Sequence, residues 1–159
     1  MNHHELMGFD ISAEAVERSM ANAAAAGVKL TLSVADAAHL PVERHSIDAI
    51  VTNPPWGKQV EAHHPTKILH QFVLEADRLL NATGCLVVLH DWGDAFAENI
   101  RRKSFEVCHE QNLRTAGRIA RLTFAFRKHK SPRSPALDLQ RLASARSRFP
   151  STADADFIL

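Results

Sequence analysis

The run Cys85-Leu86-Val87-Val88-Leu89 contains no charged or strongly polar side chain. A strand apolar on both faces needs cover above and below, the environment of a parallel sheet between helices. The surrounding sequence fits that frame. Leu6-Met7-Gly8-Phe9-Asp10 reads as a short buried strand. Ser12 is an N-cap for a helix over 13–26, with Glu14 and Glu17 near its first turn and Val16, Met20, Ala23 and Ala24 as its inner face. Gly27 stops it. Leu30, Leu32 and Val34 alternate in a second strand over 29–34, and residues 47–52 form a third. A helix over 66–80 points Ile68, Leu69, Phe72, Leu79 and Leu80 inward, and Asn81-Ala82-Thr83-Gly84 breaks it. After the apolar strand come a helix over about 94–103 and two closing strands over 106–110 and 118–127. Strands alternating with helices of these lengths predict an α/β fold, a doubly wound sheet with a C-terminal antiparallel hairpin.

The 159 residues make one domain on length. Two cysteines exclude a disulfide scaffold, no apolar run is long enough to span a bilayer, and the N-terminus lacks a signal-peptide pattern. The ten histidines show no metal-ligand spacing, so no metal is expected. His63-His64 reads as part of a solvated loop and Cys85 as a small core residue; His90-Asp91-Trp92 follows the last parallel strand and either borders the pocket or, as the default for Trp92, serves core or loop packing.

Charge is unevenly distributed. Residues 1–100 hold 13 acids against 6 Lys/Arg, whereas residues 114–150 hold 10 Lys/Arg and a single acid, Asp138. A basic C-terminal third suits a polyanion, or is simply a solvated tail. The division expected is a domain over 1–130 and a flexible Ser/Pro/Arg-rich tail over 131–159, with a short amphipathic helix at Leu137–Ala145 as an option.

Ligands of such sheets sit outside the carboxyl ends of the strands. Asp10, Asp36 and Asn53 fall at three such ends and are expected on one rim. A carboxylate at Asp10 can accept from a ribose diol, or can cap the following helix. Asp36 can accept from an adenine amine, or be a loop acid. Asn53-Pro54-Pro55-Trp56 is more specific. The two prolines fix an extended backbone and remove two N–H donors. The Asn53 amide oxygen and the Pro54 carbonyl can then both accept from one amino group, and Trp56 offers a flat face for stacking. Drawing both hydrogens of an aromatic amine into hydrogen bonds localises its lone pair and aims it at an electrophile.

These segments resemble the class I S-adenosylmethionine-dependent methyltransferases. Gly8-Phe9-Asp10-Ile11-Ser12 is similar to the family's second-strand motif, Asp36 to the acid after its third strand, and Asp48 through Gly57 to the fourth-strand catalytic motif of amino methyltransferases. Gly57-Lys58 after the aromatic most resembles the THUMP-associated RNA methylases that modify a guanine amine in tRNA. The resemblance spans roughly residues 6–128 and implies a Rossmann-like, mostly parallel sheet. It further implies that Asp10 holds the cofactor ribose, that Asp36 and the Ala37 backbone read adenine, that Ile11 and Asn53 also border the cofactor, and that Asn53 and Pro54 bind the target amine. Trp56 would stack on the base with Gly57 and Lys58 beside it, and the basic C-terminal third would grip phosphates. Methyl transfer by direct displacement disperses charge, so positioning matters more than a strong base. The protein would be cytoplasmic, with RNA, most plausibly tRNA, as its partner and no membrane contact.

The family's first strand and glycine-rich loop have no counterpart in the seven residues before Gly8. Three states follow: a piece of a longer enzyme, which is favoured; a paralogue that serves as a catalytically silent scaffold; or a chain whose sheet a partner completes. A protein glutamine-amide methyltransferase and a DNA adenine methyltransferase share the Asn-Pro-Pro-aromatic run and are the enzymatic alternatives.

Overall fold

A computed structural model describes residues 5–54, 65–115 and 118–128. The elements run β1 (Met7–Asp10), α1 (Ala13–Ala25), β2 (Thr31–Val34), β3 (Ile47–Thr52), α2 (Pro65–Leu79), β4 (Leu80–His90), α3 (Asp94–Arg101), β5 (Phe105–Thr115) and β6 (Arg118–Arg127). The described residues all belong to one compact unit. The proposed tail and its optional helix lie outside the described residues.

The strands make two sheets. β1 pairs in parallel with β2, and a second sheet has the order β3-β4-β6-β5. β3 and β4 are parallel, while β6 is antiparallel to both β4 and β5. This is the expected mostly parallel α/β sheet ending in an antiparallel hairpin. Among the described residues, no strand bridges β1 to β3.

Local chemistry explains the first unit. Ser12 caps α1 by accepting from the Ala15 N–H at 3.3 Å, and its own N–H donates to Asp10 Oδ1 at 2.8 Å. Gly27 ends the helix at a φ of 66°, where a side chain would be strained. Only Val16 of the predicted inner face is buried; Met20 is 55% exposed and Ala24 is exposed. The helical period was read correctly, but α1 packs on just two short strands, which cover little more than one turn of it.

The main core lies on one face of the larger sheet. α2 supplies Leu69, Val73 and Ala76, α3 supplies Phe96 and Ile100, and these meet Leu86 and Val88 of β4, Phe105 of β5 and Ala125 of β6. Each fully buried aliphatic side chain here is worth roughly 1.5–3 kcal/mol. Ile68, predicted inward, is 39% exposed; Val73 and Ala76 take the inner face instead.

The reading of β4 needs two corrections. The strand begins at Leu80, so Asn81–Gly84 does not separate helix from strand. It forms an irregularity inside β4, where the partner register jumps from Ile47↔Leu80 to Ala49↔Cys85. Asn81 stitches it by accepting from the Thr83 N–H at 2.9 Å and donating to Asp48 Oδ1 at 2.5 Å. Burial also alternates: Leu86, Val88 and His90 are buried, whereas Cys85, Val87 and Leu89 are only half-buried. The first set faces α2 and α3, and the second faces away from them. The first closing strand is also longer than expected, because β5 follows β6 through ten paired positions to Thr115, while β6 has its expected bounds.

The chain between the two sheets is anchored to α2. Arg78 donates to the Leu40 carbonyl at 2.9 Å and the Val42 carbonyl at 2.8 Å, and Glu75 accepts from the Leu40 N–H at 2.8 Å. His45, at a φ of 60°, donates its N–H to the Arg78 carbonyl at 3.0 Å. Arg127 holds the end of β6 to the C-terminal end of α2 through the carbonyls of Asp77 and Leu80 and the Asp77 carboxylate.

Candidate functional site

The polar residues singled out in the sequence sit at carboxyl ends of parallel strands. Asp10 is the exposed last residue of β1, and its register partner is Val34. The Ala35 N–H donates to the Asp10 carbonyl at 2.9 Å, continuing the ladder one step beyond both strands. Asp36 follows immediately, so the two carboxylates share one end of the β1–β2 sheet. Each acid is oriented by an N–H two residues ahead: Asp10 by Ser12, and Asp36 by Ala38, at 2.8 Å in both cases. The Asp36 carbonyl accepts from the His39 N–H at 2.8 Å, closing a tight turn around Ala37. Beside Asp10, Ile11 is 75% exposed, an apolar side chain held in water at a strand end.

Asn53 and Pro54 leave the carboxyl end of β3, Asn53 exposed and Pro54 half-buried. Thr52 lies opposite Val88 in the parallel ladder, so the chain steps out beside the last residues of β4. Pro55, Trp56, Gly57 and Lys58, and also His63 and His64, lie outside the described residues.

The end of β4 holds a buried polar centre that the sequence reading did not assign. His90 is fully buried. The Trp92 N–H donates to its Nδ1 at 3.2 Å, which leaves the ring proton on Nε2. Nε2–H then donates to Thr123 Oγ1 at 2.9 Å, and the Thr123 hydroxyl reaches Glu110 Oε1 at 3.4 Å. Burial, reinforced by the Arg121 charge, pushes the imidazole down to about 4, so it is neutral near pH 7. Arg121 bonds Asp94 at 2.7 Å and lies 3.6 Å from Glu110; its hydrogen bond holds the Asp94 carboxyl below the usual range. A polar residue closing an otherwise apolar strand was the one signal in the sequence; its threonine partner is 33 residues away on β6.

Parallel strands bearing acids at two ends and an Asn-Pro pair at a third define a class I methyltransferase architecture. The family profile of the RMKL-like methyltransferase domain (UPF0020) matches residues 1–121, and the chain belongs to that family. S-adenosylmethionine is the methyl donor of this class. Solved structures agree on the fold. PH0226 from Pyrococcus horikoshii OT3 is 16% identical with a TM-score of 0.64, over 78% of this chain and 72% of that one. TrmN from Thermus thermophilus is 22% identical with a TM-score of 0.67, over 77% of this chain and 36% of that one. A methyltransferase from Methanosarcina mazei is 14% identical with a TM-score of 0.65, over 79% of this chain and 83% of that one. The chain thus spans about a third of the length of TrmN. No curated protein matches it by sequence. Among the described residues, no helix is long and apolar enough to cross a membrane.

Proposed function

We propose that this domain transfers a methyl group to an exocyclic amine of an RNA base, with guanine N2 in tRNA as the favoured target. The observation that carries the reading is Asn53-Pro54 leaving the end of β3 at the strand rim, Asn53 exposed and the proline pair starting immediately after it. A neutral amide and a carbonyl without ladder duties are suited to orienting an amine and carry no charge that would repel or deprotonate it.

The residues present fit the donor. S-adenosylmethionine supplies an electrophilic methyl on a sulfonium. Asp10 and Asp36 are acceptors fixed at adjacent strand ends, matching the hydroxyls of a ribose and the amine of adenine. The exposed Ile11 offers an apolar contact for the base, and the Ala37 backbone in the turn offers a donor to it. Asn53 and Pro54 hold the target amine, and Trp56, with Gly57 and Lys58, is assigned to the target base. A target inside a helix has to leave its stack to reach them.

The excess of Arg and Lys over 114–150 favours a polyanionic substrate over a protein amide. The Arg and Lys side chains over 114–150 are assigned to its phosphates, and a partner strand would close the gap between β1 and β3.

The test is transfer of labelled methyl from S-adenosylmethionine to unfractionated tRNA, followed by nucleoside analysis. Label in N2-methylguanosine, lost in Asn53→Ala while donor binding by calorimetry is kept, supports the reading. Label in a protein glutamine or in DNA adenine, or an unchanged rate in Asn53→Ala, overturns it.

A further inference from the structure

The loop after β4 carries an aromatic ring at the carboxyl end of the strand that pairs with β3. Thr52 and Val88 are neighbours in the parallel ladder. β3 ends there, so Asn53 and Pro54 leave it one and two residues beyond, while β4 runs on beside that exit to His90. Trp92 is two residues beyond that point. It is half-buried, and it is the one tryptophan among the described residues.

The ring is held more firmly than loop packing requires. Its centroid is 5.7 Å from that of His90 at an interplanar angle of 23°, and 5.6 Å from Phe96 at 39°. His90 and Phe96 are themselves 4.4 Å apart and fully buried. The Trp92 backbone is tied to the same histidine through N–H to Nδ1. Gly93, at a φ of 57°, turns the chain directly into α3, which brings Phe96 back beneath the indole. The neutral His90 is anchored in turn to Thr123. A partly open indole is thus braced by two buried rings at the carboxyl end of the strand next to the proposed amine-binding step.

We propose that Trp92 is a substrate-contacting residue, a second aromatic wall that selects a planar nucleobase for the Asn53-Pro54 site. This rests on the reading of the target as an RNA base. A ring already fixed by its neighbours loses little freedom on stacking, so its contact translates into affinity. His90 and Phe96 are positioning residues that act through it.

The test uses the full chain with Trp56→Phe, which retains a ring at position 56 and leaves Trp92 as the sole indole of the two in the sequence. Guanosine 5′-monophosphate and unfractionated tRNA are titrated separately, with Trp92 emission and calorimetric binding read in parallel. Saturable quenching with a midpoint at the calorimetric Kd supports the assignment. Trp92→Ala, shown to be folded by circular dichroism, then weakens binding about tenfold and Trp92→Phe by less than about threefold. Calorimetric binding without a change in Trp92 emission overturns the role of Trp92 and leaves the RNA reading intact. Failure of both probes to bind overturns both.

Discussion

Glu75 and Arg78, one turn apart on α2, form a single clamp on the chain between the two sheets. Arg78 donates to both oxygens of Glu75, at 2.6 and 2.8 Å, while its remaining hydrogens hold the Leu40 and Val42 carbonyls. The pair positions the segment that follows Asp36, and it holds the Glu75 carboxyl below its ordinary range despite burial.

Removing one half of this clamp strands the other. Glu75→Ala leaves the Leu40 N–H without its acceptor and Arg78 without its counter-ion. The expected loss is about 2–3 kcal/mol in urea unfolding. Hydrogen exchange at residues 38–46 speeds up more than exchange in β4. Equal acceleration in both segments would contradict the clamp as a local anchor.

Phe96 is fully buried beneath His90 and Trp92. Phe96→Ala opens a cavity there and is expected to cost roughly 3–5 kcal/mol. In a Trp56→Phe background, Trp92 emission shifts to longer wavelength as the indole loses its support. A loss under about 1 kcal/mol with unshifted emission would show that the ring cluster does not brace the loop.

His90 gives the fold an acid limit. Its folded value of about 4 lies below the ordinary 6.5, so between these values the unfolded chain binds more protons. Its contribution is complete above about pH 6.5 and is lost as the pH falls toward 4, on the order of 2–3 kcal/mol across that window. In His90→Gln, denaturation midpoints fall less steeply over the same range. An identical slope in both proteins would assign the acid sensitivity to other groups.

Asp10→Asn keeps the oxygen that accepts from the Ser12 N–H but removes the charge. Stability is expected to change by no more than about 0.5 kcal/mol, because the residue is exposed. Calorimetric affinity for S-adenosylhomocysteine falls about ten- to hundredfold if the carboxylate holds the ribose. Retained affinity would reduce Asp10 to its capping role.

Much of the frame was legible because each element carries its own signal. β3 and β6 begin and end where the apolar pattern does. Asp10, Asp36 and Asn53 were legible because a polar residue closing a short strand marks a rim. What periodicity cannot report is cover: Met20 and Ile68 sit at apolar positions of real helices, yet among the described residues they stay 55% and 39% exposed. Asn81–Gly84 has the composition of a turn and behaves as one, but within a strand whose pairing resumes beyond it. The His90–Thr123–Glu110 chain joins β4, β6 and β5, and only the pairing register brings these residues together.

That register has one more consequence. β4 ends opposite Arg121, while β5 and β6 continue together through Ala120, Ile119 and Arg118. The outer part of this hairpin runs past the end of β4, and among the described residues no third strand pairs with it there. Lengthening or trimming it by a pair of residues leaves every other ladder in register. The length of the hairpin beyond His90 can therefore change without disturbing the pairing of β3 with β4 or of β4 with β6.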